Sequence, residues 1–112
     1  MSGPDFSAID SNAKVLELFE RGQLEKLYLL PKEFGGNDAP QNIVYVPVGL
    51  GAIKGQTDNG VIAALVAERK VTRYSAVPEY SGNSFIPIAI KITASEPGNF
   101  VFDLKIWGSA LR

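Results

Sequence analysis

Residues 28–46 read YLLPKEFGGNDAPQNIVYV. An apolar pair runs into a proline, a double glycine, an Asn-Asp step and then a β-branched run. The pattern predicts two short strands hinged by a tight loop, because glycine supplies positive φ and Asn or Asp bonds back to its own backbone. The first strand is expected over residues 24–30, with Leu24, Leu27 and either Leu29 or Leu30 available for burial, and Pro31 closing it. The second runs from Ile43 to Val46 and stops at Pro47, since proline cannot donate to a ladder.

Upstream of this hairpin, NAKVLELFERG places Val15, Leu16, Leu18 and Phe19 on one helical stripe. Asp10 or Ser11 is suited to cap it, and Gly22 sits where a helix stops. Residues 1–10 read as a flexible N-terminal arm, and residues 11–112 as a single domain. Downstream, VGLGAIKGQTDNG is too rich in glycine to predict regular structure. A second helix is expected over VIAALVAERK, capped by Thr57 or Asp58, with Val61, Ile62, Leu65 and Val66 inward. Gly60 weakens that start, at roughly 1 kcal/mol relative to alanine.

The remainder alternates like strands. KVTRYSAVPEY and SFIPIAIKITA flank an SGN turn, with Pro78 and Pro87 marking bulges or edges. NFVFDLKIW puts Phe100, Phe102, Leu104 and Ile106 on one face, after a turn at Gly98 and Asn99. Trp107 is expected as a packing anchor; facing outward with Phe85 or Tyr80, it would mark a partner site. The fold class is α+β, an antiparallel β-sheet with two helices.

Composition narrows the chemistry. The chain has 112 residues, no Cys, no His and a net charge of −1. Without His or Cys there is no Ser-His-Asp triad, no Cys-His pair and no ordinary zinc site. A general base would have to be Asp, Glu, Lys or Tyr, and any metal a hard ion on oxygen ligands. The charge balance does not favour nucleic acid as a partner, since phosphate binding usually shows as a basic domain. The longest apolar run, Val61 to Ala67, falls far short of the about 20 residues of a membrane span. With a polar start and no signal-like pattern, the expectation is a soluble, cytoplasmic protein with no membrane partner.

Several motifs carry little. GLGAIKG follows a strand, but the dinucleotide fingerprint belongs in a parallel βαβ unit, and Lys54 is followed by Gly55 rather than the Ser or Thr of a P-loop. Glu17 and Glu20 share a solvated helix face. Arg69, Lys70 and Arg73, with Tyr74 nearby, form the one basic cluster, and a helix C-terminus accounts for the first two.

The order of strand, FGG turn with Asn-Asp, Asn-apolar-apolar, loop, helix and PEYSGNS in a hairpin resembles the DNA/RNA non-specific endonuclease domains of bacterial polymorphic toxins, in the ββα-metal nuclease superfamily. The resemblance runs from about Leu24 to Thr93, and FGG…N and YSGNS carry most of it. It implies a hairpin-and-helix core. It also implies a general-base His six positions before Phe34, where this chain has Tyr28. The family's Asn at the start of the second strand matches Asn42. Its Mg²⁺-ligating Asn falls on Gly51, with Asn59 the nearby substitute. Base and metal ligand are both missing on this alignment, and tyrosine, with a pKa near 10, is a poor replacement for a base near 6.5.

The expectation is therefore a non-catalytic nuclease-like domain that binds another macromolecule, most naturally a protein, in a toxin or immunity setting. Phe34, Gly35, Gly36, Asn37, Asp38 and Asn42 are the binding candidates, and no cofactor is expected. One alternative is an active nuclease holding Mg²⁺ on Glu33, Asp38 or Asp58. Another is an immunity-type inhibitor that covers a toxin's active site with its acidic turn. An exposed edge strand leaves homo-oligomerisation open, with Pro78 and Pro87 arguing against it.

Overall fold

The computed structural model describes residues 6–111, apart from the side chains of Glu33, Ser109 and Leu111. Helix α1 (Asn12–Glu20) starts at Ser11, whose hydroxyl accepts from the Lys14 N–H at 3.3 Å. It is followed by strands β1 (Leu24–Tyr28) and β2 (Ile43–Pro47), which pair antiparallel with Leu27 opposite Val44. Gly22, at φ 77°, makes the turn between α1 and β1 that a side chain would strain. Strands β3 (Val71–Glu79), β4 (Ala89–Pro97) and β5 (Asn99–Lys105) form a second antiparallel sheet in that order. The chain is thus α+β, with its strands in two sheets of two and three rather than one.

Residues 50–67 depart from expectation. The glycine-rich stretch is helical: α2 (Leu50–Gln56) continues through a π-helical segment (Thr57–Ile62) into α3 (Ala63–Ala67) without leaving helical backbone. Thr57 and Asp58 lie mid-helix and cap nothing. The rod begins at Gly49, φ 108°, and its last turn closes on Arg69, held at φ 59° while the Lys70 N–H reaches back to the Leu65 carbonyl at 2.8 Å. Of the four residues expected inward, Ile62 is fully buried and Leu65 packs on the core. Val61 and Val66 face solvent, because the π-helical segment rotates the stripe. On α1, Leu16 is likewise exposed and Val15 is the buried anchor.

One apolar core unites both sheets and both helical segments: Val15, Leu27, Val46, Ile62, Ile92 and Leu104 belong to a single buried cluster. Trp107 faces inward, its indole N–H donating to the Ile86 carbonyl at 3.0 Å. Phe6 packs edge-on against it, with ring centroids 5.8 Å apart. The segment expected as a loose arm is therefore docked from Phe6 onward, and the Ile9 carbonyl accepts from the Phe85 N–H at 2.7 Å. Residues 1–5 of that arm lie outside the described residues. Pro78 sits on the edge strand β3, and Pro87 is fully buried in the connection to β4. Among the described residues no helix is long and apolar enough to cross a membrane.

Replacing Trp107 with Phe removes the donor to Ile86 while keeping much of the ring. The Ile86 carbonyl keeps only the longer contact from the Ser84 hydroxyl at 3.4 Å, and chemical denaturation is expected to show a loss of about 1 kcal/mol, the net worth of one hydrogen bond.

Candidate functional site

The FGGND loop is built by its own polar groups. The Asn42 side-chain oxygen accepts from the Leu30 N–H at 2.8 Å, and its amide donates to the carbonyls of Leu30 at 3.0 Å and Asn37 at 2.9 Å. This side chain ties the end of β1 to the far side of the loop. Asn37 adds a turn of its own, its side-chain oxygen accepting from the Ala39 N–H at 3.0 Å. Gly35 takes φ 100°, and a side chain on Gly36 would run into the Leu30 carbonyl. Phe34 leaves the loop to stack edge-on with Tyr74 at 5.5 Å. Of the six binding candidates, Gly35, Gly36, Asn37 and Asn42 therefore shape the loop, Phe34 anchors it, and Asp38 alone offers an engaged polar group at the surface.

Asp38 is paired with Tyr28. The phenol donates to Asp38 Oδ1 at 2.6 Å, the Lys32 ammonium lies 3.3 Å from the same oxygen, and it sits 5.0 Å from the centre of the Tyr28 ring. The Tyr28 hydrogen bond, followed by Lys32, holds the Asp38 carboxyl below the usual range, while hydrogen bonding to Asp38 pushes Lys32 up. Tyr28 is thus a proton donor in this contact, the reverse of the role of a general base.

Where the hairpin meets the helical rod there is a cleft of about 320 Å³ that Tyr28 shares with Glu25, Gly51, Lys54, Asp58 and Asn59. The fold therefore brings Tyr28, Gly51 and Asn59, the three positions that the sequence resemblance singles out, to one place. Glu25, unremarked in the sequence, occupies the slot between them. Its Oε2 accepts from the Gly49 N–H at 2.6 Å and lies 3.4 Å from the Gly51 nitrogen, satisfying the start of the rod. A side chain on Gly51 would strike the Glu25 carboxylate, so the glycine is what lets the carboxylate approach.

Beneath the cleft lies a buried polar triangle. Lys54 Nζ is 2.5 Å from Asp58 Oδ2, Lys54 Nζ meets the Tyr74 hydroxyl at 2.8 Å, and that hydroxyl donates to Asp58 Oδ1 at 2.8 Å. Lys54 and Asp58 are each 3% exposed. Burial, and then hydrogen bonding to Asp58, pushes the Tyr74 phenol well above its ordinary value, so it stays protonated. The i,i+4 spacing of Lys54 and Asp58 is a helical pair, a signal masked by the loop reading of this stretch. Tyr74 comes from β3 and has no sequence signal tying it to them.

The proposed metal ligands do not converge. Asp58 is committed to Lys54 and Tyr74, Asp38 to Tyr28 and Lys32, and the Glu33 side chain lies outside the described residues. Among the described residues no group of three or more His, Cys, Asp or Glu could hold a metal ion. Two residues of the basic cluster are paired as well, Lys70 with Glu68 at 3.2 Å and Arg73 with Glu96 at 2.8 Å. No family model, curated protein or solved structure matches the chain.

Two outcomes test the triangle. Lys54→Met leaves Asp58 buried without its cation and is expected to cost about 3–5 kcal/mol in urea unfolding, most of it recovered in Lys54→Met/Asp58→Leu. The raised Tyr74 phenol means the folded state holds this proton more tightly than the unfolded chain. Its contribution to stability is therefore complete below about pH 10 and is lost as pH rises above it. Unfolding midpoints measured through that range should fall more steeply for the native chain than for Tyr74→Phe.

Proposed function

We propose that this chain is a non-catalytic, nuclease-like domain that works by binding another protein. The observation that carries the reading is the content of the hairpin–helix cleft. A phenol that donates to Asp38 stands at the base position, and a glycine roofed by the Glu25 carboxylate stands at the metal-ligand position. The order of elements, two antiparallel strands followed by a helix packed on both, supports the frame that the sequence resemblance implies. A hydrolytic site of that type needs a proton acceptor and a cation holder, and neither residue type stands at the matching position. No cofactor is called for in this role. Polymorphic toxins and their immunity proteins are the setting the resemblance suggests.

The test is direct. Purified protein incubated with Mg²⁺, supercoiled plasmid and total RNA is expected to leave both substrates intact. Cleavage that disappears in Tyr28→Phe would overturn the reading.

A further inference from the structure

A cavity of about 590 Å³ lies between β2, the start of α1 and the β3–β4 connection, sharing Lys26 with the Tyr28 cleft. Three successive residues of β2, Ile43, Val44 and Tyr45, line it. Successive residues of a strand point to opposite faces, so a cavity touching all three runs along the strand's edge rather than over one face.

The ladder shows what that edge offers. The Leu29 N–H donates to the Asn42 carbonyl at 2.9 Å and the Val48 N–H to the Gln23 carbonyl at 3.3 Å, so these opposed pairs are the bonded ones. Bonded and non-bonded pairs alternate in an antiparallel ladder. Leu27–Val44 and Glu25–Val46 are then bonded pairs, and Tyr28–Ile43 and Lys26–Tyr45 are not. The backbone groups of Ile43 and Tyr45 consequently point away from β1, and among the described residues the two-stranded sheet has no further strand there. The Ile43 N–H closes back on the Pro40 carbonyl. What is left for a partner is the Ile43 carbonyl, the Tyr45 N–H and the Tyr45 carbonyl, spaced as one repeat of a strand.

The opposite wall carries two exposed aromatic side chains, Tyr80 at 48% and Phe85 at 44%. At the rim stands Lys26, which makes no direct ion pair among the described residues and acts on the neighbouring Asp38 carboxylate only through space, that carboxylate being bonded to Tyr28 and Lys32. Free strand groups, aromatic walls and an ammonium that makes no direct ion pair specify an occupant: extended backbone, an apolar side chain and a carboxylate.

We propose that the partner binds by strand addition, an extended segment of another protein pairing antiparallel or parallel with the outer edge of β2, its apolar side chain against Tyr80 and Phe85 and an acidic side chain toward Lys26. This rests on the protein-binding reading above and names its surface.

The experiment pans a phage-displayed library of random short peptides against the full chain, then titrates a selected synthetic peptide while amide hydrogen exchange is followed residue by residue. Selected peptides are expected to pair an acidic residue with an aromatic or aliphatic one. Binding should slow exchange of the Tyr45 amide. Lys26→Glu and Phe85→Ala should each weaken binding roughly tenfold or more, with unfolding midpoints unchanged. The proposal is overturned by failure to select peptides, by a bound peptide that leaves Tyr45 exchange unaltered, or by a self-associated chain in which Tyr45 is already protected. A chain that cleaves plasmid yet shows Tyr45 protection would lose the non-catalytic reading and keep this surface. An inert chain whose peptides bind elsewhere would do the opposite.

Discussion

A lysine ammonium that has left water ties the helical rod to the three-stranded sheet. Lys54 comes from the helical rod, finds Asp58 one turn on, and both meet the Tyr74 hydroxyl of β3. Desolvating two charges is expensive, and the arrangement is sustained because each charge is matched and the phenol bonds to both. The triangle therefore fixes the rod against the three-stranded sheet in one orientation. Glu25 does the corresponding work at the other sheet, reaching from β1 to the first N–H groups of the rod. The rod is pinned between the sheets by polar contacts that an apolar interface alone would not specify.

The same contacts explain why glycine-rich sequence forms a helix. Gly51 and Gly55 lower intrinsic helix propensity, but helices in proteins draw most of their stability from packing. Here the Glu25 carboxylate satisfies the exposed start, the Lys54–Asp58 pair bridges successive turns, and Ile62 enters the core. Gly51 serves the approach of Glu25 rather than chain flexibility. A residue that reads as a helix breaker in one dimension is a spacer in three.

Around the FGGND loop the polar residues are consumed by architecture. Asn42 makes three hydrogen bonds to backbone groups and the Tyr28 hydroxyl donates a hydrogen bond to Asp38. Side chains spent in this way have little left for a substrate. The surface that retains unspent capacity is elsewhere, along β2, where strand groups, aromatic rings and Lys26 face an open groove.

The sequence by itself determined the α+β class, the hairpin with Leu24 and Leu27 buried, the start of α1 to within Asp10 or Ser11, and the apolar face of β5. Each follows from local rules: alternation, capping, turn chemistry. Composition also removed histidine and thiol chemistry outright. Tertiary structure alone decided the helicity of residues 50–60, the outward turn of Val61 and Val66, the division of the strands into two sheets, and the meeting of Lys54, Asp58 and Tyr74. Those outcomes depend on partners distant in the chain, Glu25 for the rod's first turn and Tyr74 for its buried charge. A local pattern cannot report the neighbour that satisfies a charge when that neighbour arrives from another strand.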